Sequence, residues 1–451
     1  MRPPATQPLL ALALALALLL LPGCRSTEPP RNLLLITLDT LRADHLGFYG
    51  YARPTSPRLD AFAAGAVVFD DALCSMPTTL PSHVTMFTGL RPAQHGVRAN
   101  GQPAPGELTS VFDLLAERGA ATAAVVASRV VDERYVGGLG FAEVSFPGSE
   151  RQHQVAADRV TRQARAWLER QGGGPFALWV HYYDPHEPYD PPSGPRVAFA
   201  RPYSGPLPDR LSVETLVGLN DPARAADLTP QDRDYITDLY DAEIAYLDTH
   251  LGALLDFVEE TGLGSSTVVA IVGDHGQALG EEGFFGHGLR LLEPVIRVPF
   301  VLRVPGAAPG RVAAPVETID LLPTLVDYFG LVAPAGLPGR SLRPAIEGRR
   351  LAAPRFRVVE RRHYEDQPDV LGVALHGGDW KAVYYHDEGG AEARRFARDP
   401  DLDGADPLDP SSPEAGWLDA MVGALRSTPA AAGRELDAEE ERMLRALGYL
   451  D

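Results

Sequence analysis

The 451-residue chain is long enough to bury a large core, and 45% hydrophobic with 22% charged residues excludes an intrinsically disordered protein. Lys and Arg number 41 against 60 Asp and Glu, a formal net charge of −19 that repels polyphosphate backbones and argues against nucleic acid as a partner.

A single arginine, Arg2, is followed by an apolar run over residues 9–21. That run is shorter than the roughly 20 residues a helix needs to cross a bilayer, so residues 1–23 read as a secretory signal segment. Leu21-Pro22-Gly23-Cys24 at its end resembles a lipobox, which makes Cys24 the expected lipidation site and residues 24–31 a short tether. Arg25 stands where an inner-membrane retention aspartate would. The expected location is therefore the bacterial cell envelope, lipid-anchored and extracytoplasmic, with the outer membrane favoured. Only one other cysteine exists, Cys74, so a lipidated Cys24 leaves it nothing to pair with and no disulfide is expected in the mature chain.

Asn32–Leu38 (NLLLITL) is a continuous apolar run of strand length, the pattern of a strand covered on both faces of a parallel sheet. Residues 121–127, 176–183, 267–273 and 298–304 repeat it. Between them, 108–118, 155–170 and 230–260 carry apolar residues at three- and four-residue spacing. Thr229 is placed as N-cap of the last of these helices, Pro230 at its first position and Gly262 just past its end. Strands alternating with helices predict an α/β fold, a doubly wound, mostly parallel central sheet flanked by helices, with active residues at the carboxyl ends of strands. Residues 305–314 read as a loop, and 318–330 as a helix broken or started near Pro323. Beyond about Pro354, strand-like pieces at 356–360, 370–375 and 380–385 mark a small C-terminal α+β subdomain. Residues 399–413, rich in Asp and Pro, read as an irregular loop, and 436–450 as an amphipathic helix closing on the body. The expected division is a main domain over 32–353 and a C-terminal subdomain over 354–451.

Three strings carry chemistry. Asp39 directly follows the first strand, which puts a carboxylate at the sheet's carboxyl edge, where hard divalent cations are held; alone, it reads equally as a turn cap. The strand at 267–273 ends in Asp274-His275-Gly276, with Gly286-His287-Gly288 after it. Two strands each delivering an acidic ligand, one with an adjacent imidazole, form a mixed oxygen/nitrogen metal site; two unrelated caps would leave those histidines unexplained. The third string, Pro77-Thr78-Thr79-Leu80-Pro81-Ser82-His83, sets Thr79 at a helix start, where free amides and the macrodipole favour an oxyanion. By itself Thr79 is an ordinary N-cap.

In this order the strings resemble the sulfatase branch of the alkaline phosphatase superfamily. Its members show a strand-end acidic motif, a Cys/Ser-x-Pro-Ser-Arg nucleophile motif leading into a helix and Thr-Gly, and a late Asp-His/Asn-Gly strand end. Here the middle motif reads Thr79-Leu80-Pro81-Ser82-His83, followed by Thr88-Gly89. The likeness continues through Val180-His181-Tyr182-Tyr183-Asp184-Pro185-His186, Arg297-Val298-Pro299 and the terminal LRALGYL. The resemblance implies Thr79 as nucleophile and a divalent cation held by Asp39, Thr79, Asp274 and His275, with zinc or manganese favoured and calcium or magnesium as alternatives. His186 and His287 would contact the peripheral oxygens of the ester. Asn100, in HGVRANG, and His83 are candidate substrate contacts, His83 alternatively lying on the helix surface. Asp184, His186 and His287 form an alternative set for a second metal. His181, His250, His363, His376 and His386 are assigned structural places.

The departures change the expected chemistry. Thr40 follows Asp39 where many sulfatases have a second aspartate, and Thr79 replaces the cysteine that sulfatases oxidise to formylglycine. His83 replaces the motif's arginine, and Cys74 lies one residue too far from Pro77 to restore the motif. The family's Gly-Lys-Trp-His type motif is replaced by SRVVDERYVGG. A hydrated aldehyde releases sulfate by C–O cleavage, a route closed to threonine. Threonine matches the superfamily's phosphatase, phosphodiesterase and phosphoethanolamine-transferase branches. The expected substrate is a small anionic ester, glycan or lipid headgroup, leaning to phosphate or phosphonate esters. A true sulfatase, a transferase acting on envelope lipids or glycans, and a catalytically dead lipoprotein that binds an anionic glycan are the alternatives. Against the last stands the retention of Asp39, Asp274, His275 and a hydroxyl at position 79.

Overall fold

The structure, a computed structural model, describes residues 29–351, 356–361, 371–377, 380–386, 392–397 and 406–427. The expected signal segment with Cys24, His363 and the expected helix at 436–450 lie outside the described residues.

An apolar run with no polar face has to be covered on both sides, and the three longest such runs form the middle of the sheet. β1 (Asn32–Leu38), β2 (Val67–Phe69), β3 (Ala121–Val126), β4 (Glu143–Ser145), β5 (Phe176–Tyr182), β6 (Thr267–Gly273), β7 (Phe300–Arg303) and β8 (Gly310–Val312) pair in the order β8-β2-β7-β6-β1-β5-β3-β4. Every residue of β1, β5 and β6 is buried. All neighbours run parallel except β7, which is antiparallel to β6 and β2. The doubly wound α/β reading therefore holds. β7 is shorter than expected because Pro299 has no amide for the ladder, although its carbonyl still accepts from Gly273.

The longest helix, Pro230–Glu260, has the expected bounds. Thr229 and Asp232 form a reciprocal capping box, Pro230 occupies the first turn, and Gly262 turns the chain out at φ 75°. The helix at Val111–Ala116 is shorter than its pattern, since Ser110 caps it with Asp113. Residues 318–330 resolve into a 3₁₀ turn, Thr318–Asp320, and a helix, Leu321–Phe329, with Pro323 in its first turn.

In the C-terminal part β9 (Arg357–Glu360), β10 (Leu371–His376), β11 (Lys381–His386), β12 (Glu392–Ala397) and β13 (Asp406–Pro407) form an antiparallel sheet in sequence order. A helix at Pro413–Ser427 packs on it; β13 lies inside the stretch read as loop and the helix begins at that stretch's last residue, and neither was anticipated. Strand alternation divides the sheet's side chains. Val358, Val373, Leu375, Ala382 and Tyr384 face the helix, while Val359, Ala374 and Val383 join the main core.

Candidate active site

Strand register assembles the site. Leu38 pairs with Tyr182 on one side and with Gly273 on the other, so three strands leave the sheet together and Asp39 emerges beside Asp274. The Asp39 amide donates to Tyr182 O at 3.0 Å and that of Asp274 to Leu38 O at 3.3 Å. Thr40 then takes a left-handed conformation, φ 52°, costly for a β-branched residue. The turn aims its amide at Asp274 Oδ1, 3.3 Å away, and the His275 amide donates to the same atom at 2.7 Å.

The remaining oxygens converge without a donor. Asp39 Oδ1 and Asp274 Oδ2 are buried with no hydrogen-bond partner, and no lysine or arginine among the described residues pairs with either. His275 Nδ1 lies 3.1 Å from Gly276 O, so it carries the proton, and Nε2 turns its lone pair toward Asp274 Oδ2 at 3.6 Å and Asp39 Oδ1 at 4.0 Å. Burial raises both carboxyls far above the usual range, Asp39's further through the charge of Asp274, and burial holds His275 neutral. Two unsatisfied buried carboxylate oxygens and an imidazole lone pair form a donor set that a divalent cation completes.

Thr79 is the first residue of the helix Thr79–Thr88, all of it buried, and Thr78 rather than Thr79 holds the cap position. The Thr79 hydroxyl bonds to Asp39, and its Oγ1 lies 3.4 Å from His275 Nε2. Asn100 accepts from the Leu80 amide at 2.9 Å, which leaves its buried Nδ2 without a partner beside the helix start. His83 does not reach a substrate position. It is wholly buried beneath Thr79, with Nδ1 donating to Thr79 O at 2.7 Å and Nε2 accepting from Thr37 Oγ1 at 2.8 Å. Cys74 is buried with its thiol pushed up by burial, so it offers no thiolate.

Beside His275, whose ring lies 4.4 Å from that of His287, Nε2 of His287 faces Nε2 of His186 at 3.3 Å, and their outer nitrogens address carbonyls, His186 Nδ1 to Glu187 O at 2.6 Å and His287 Nδ1 to Pro77 O at 3.4 Å. The carboxylate that completes this second group is Glu187, held by Gln277 at 2.9 Å. Asp184, expected there, turns away toward the start of the helix Ala157–Arg170. Sequence reasoning also missed His181. Its Nε2 lies 3.3 Å from Asp39 Oδ2, because parallel pairing sets it across from Thr37. His376, by contrast, is bound into a buried contact with Glu293 at 3.2 Å.

A hydroxyl at a buried helix start, beside two groups of side chains able to hold a cation at the carboxyl edge of a doubly wound sheet, fits a hydrolase centre. The family model described as Sulfatase matches residues 31–331, and the chain belongs to the sulfatase family. It is 25% identical over 411 residues to the Delta 4,5-hexuronate-2-O-sulfatase of Bacteroides thetaiotaomicron, covering 84% of both chains. It is 28% identical over 393 residues to the human N-sulphoglucosamine sulphohydrolase, covering 77% of this chain and 75% of that one. The phosphonate monoester hydrolase of Agrobacterium radiobacter shares the fold with a TM-score of 0.70 at 21% identity, over 92% of this chain and 99% of that one.

Proposed function

We propose that the chain hydrolyses phosphate or phosphonate esters through a covalent intermediate on Thr79, acting on a small anionic ester, glycan or lipid headgroup at the cell envelope. The observation that carries this reading is the Thr79 hydroxyl at a helix start, bonded to Asp39 and 3.4 Å from His275. Its bond to Asp39 fixes the hydroxyl proton and leaves an oxygen lone pair for attack. A divalent cation held by Asp39, Thr79, Asp274 and His275 supplies positive charge that lowers the hydroxyl's pKa and offsets charge on the ester. Asn100 Nδ2 donates to one peripheral oxygen, while His186 and His287, whose Nδ1 atoms donate to Glu187 O and Pro77 O, present lone pairs that suit a cation rather than an anionic oxygen. Burial keeps bulk water from competing with these contacts.

Relatives of this chain include glycan sulfatases and, by fold, phosphonate monoester hydrolases. Thr79 is what separates the readings. An alkyl phosphate on threonine is released by in-line attack of water, the reverse of the geometry that formed it, whereas threonine offers no elimination route for sulfate. The test is a series of aryl phosphate mono- and diesters, phosphonate monoesters and sulfates with one leaving group. Higher kcat/KM for the phosphorus esters is expected, and a sulfate preference sustained over many turnovers overturns the reading.

A second cation is favoured by the facing His186 and His287 lone pairs with Glu187 beside them. Metal analysis separates the cases, since two ions per chain falling to one in His287→Ala assigns both groups.

A further inference from the structure

His287 stands on an arch of chain with no helix or strand of its own. Residues 287–292 cross from the strand Phe285–Gly286 to the helix Glu293–Ile296, and no backbone hydrogen bond joins two of residues 287–291. Gly286 and Gly288, at φ 107° and 83°, flank the imidazole and turn the chain sharply. A segment with so few bonds of its own is fixed only by what grips it from outside.

Side chains grip it at both ends. Where the arch begins, Asn220 takes both backbone groups of Phe285, its Nδ2 donating to Phe285 O at 3.0 Å and its Oδ1 accepting from Phe285 N at 2.7 Å. Where it ends, two residues of β11 take both backbone groups of Leu291. Lys381 Nζ donates to Leu291 O at 2.6 Å, and Tyr385 Oη accepts from Leu291 N at 2.8 Å. Strand alternation puts Lys381, Val383 and Tyr385 on one face of β11, the face that joins the main core. Leu291 is wholly buried, so a backbone group released there finds no water in exchange. Between the grips, His287 Nδ1 lies 3.4 Å from Pro77 O and Nε2 3.3 Å from His186 Nε2. Neither contact holds the ring by itself, because the first is long for a hydrogen bond and two facing lone pairs do not attract.

We propose that Asn220, Lys381 and Tyr385 are positioning residues for His287, so that the C-terminal sheet sets where this imidazole stands against His186. The proposal rests on the placing of His287 in the reacting centre and deepens the reading of that site.

His287 is half-buried and within reach of a small reagent. Metal-free protein is treated with diethyl pyrocarbonate, and the rate of modification at His287 is read by peptide mass spectrometry. Asn220→Ala and Tyr385→Phe are each expected to raise the wild-type rate about fivefold, the change in a local opening equilibrium when roughly one hydrogen bond is lost. Arg91→Met is the control, since Arg91 donates to Val358 O at 3.0 Å and ties the same sheet to the main domain away from the arch. Its His287 rate is expected to match the wild type, and continued protection of the wholly buried His181 shows that each variant is folded. An unchanged rate in both arch variants, or equal acceleration in Arg91→Met, overturns the proposal. With metal restored, kcat/KM on an aryl phosphate is expected to fall in the arch variants only. Faster modification with kcat/KM unchanged also overturns it, because the grips would then hold a residue the reaction does not use. Faster modification in a protein whose wild type turns over no ester counts against the hydrolase reading and leaves the positioning of His287 standing.

Discussion

Thr79 Oγ1 and His275 Nε2 lie 3.4 Å apart, although 196 positions separate them in the chain. The contact joins a helix start to the end of β6 and places the hydroxyl of the helix's first residue against the proposed cation ligands. Thr79→Ala is therefore expected to remove turnover by about a thousandfold or more, the scale seen when a covalent nucleophile is deleted. Thr79→Ser keeps the oxygen and retains most of it. Initial rates on an aryl phosphate decide the point, and an alanine variant with near wild-type kcat rules Thr79 out as nucleophile.

Asp274→Asn separates metal binding from folding. Its Oδ1 still accepts from Thr40 and His275, while the second oxygen, buried without a donor, is replaced by an uncharged group. In metal-free protein the variant's melting temperature is expected to equal or exceed that of the wild type, because a raised, uncompensated buried carboxylate is gone. Added zinc or manganese at about a hundred times Kd stabilises the wild type by about 2.7 kcal/mol and leaves the variant unmoved. Equal stabilisation of both proteins by metal contradicts the assigned ligand set.

Glu293 ties the C-terminal sheet to the main domain through Lys381 at 3.0 Å and His376 at 3.2 Å, and Arg297, four residues on in its own segment, adds a contact at 3.1 Å. Burial works to raise its carboxyl, but Lys381 and His376 outweigh that and hold it well below the usual value. A carboxyl lowered in the folded state contributes its full stability above about pH 4.3, the unfolded value, and loses it as pH falls through the folded one. Glu293→Gln is expected to cost about 3 kcal/mol at pH 7, in the range for breaking a buried ion pair. Denaturation across pH 3 to 7 should show the gap between wild type and variant shrinking below about pH 4.3. A gap of constant size would mean that charge is not its cause.

Cys24→Ser tests the anchor. Fractionation of cells making the full chain is expected to find the wild type with the outer membrane and the variant among soluble exported proteins. Retention of the variant in the membrane fraction would exclude lipidation at Cys24.

Much of this was legible from pattern alone. The apolar runs at Asn32–Leu38 and Thr267–Gly273 announce buried parallel strands, and a residue that ends such a strand lies at the sheet edge wherever the strand sits. Thr229, Pro230 and Gly262 bound the long helix because capping is local chemistry. The helix at Pro413–Ser427 was missed for a related reason, since its start lies in a stretch whose Asp and Pro content favours turns.

By itself the sequence determined the class of fold, the three strings proposed to carry chemistry and the threonine that stands where formylglycine enzymes have cysteine, because strand length, strand ends and residue identity are properties of short segments. Only the tertiary structure decided which side chains meet. Glu187 rather than Asp184 joins His186 and His287, His181 moves beside Asp39, and His83 withdraws beneath Thr79. Those choices follow from register between strands more than a hundred residues apart and from how a turn folds back on itself. Such distances are fixed by the packing of the whole sheet and leave no mark in local spacing.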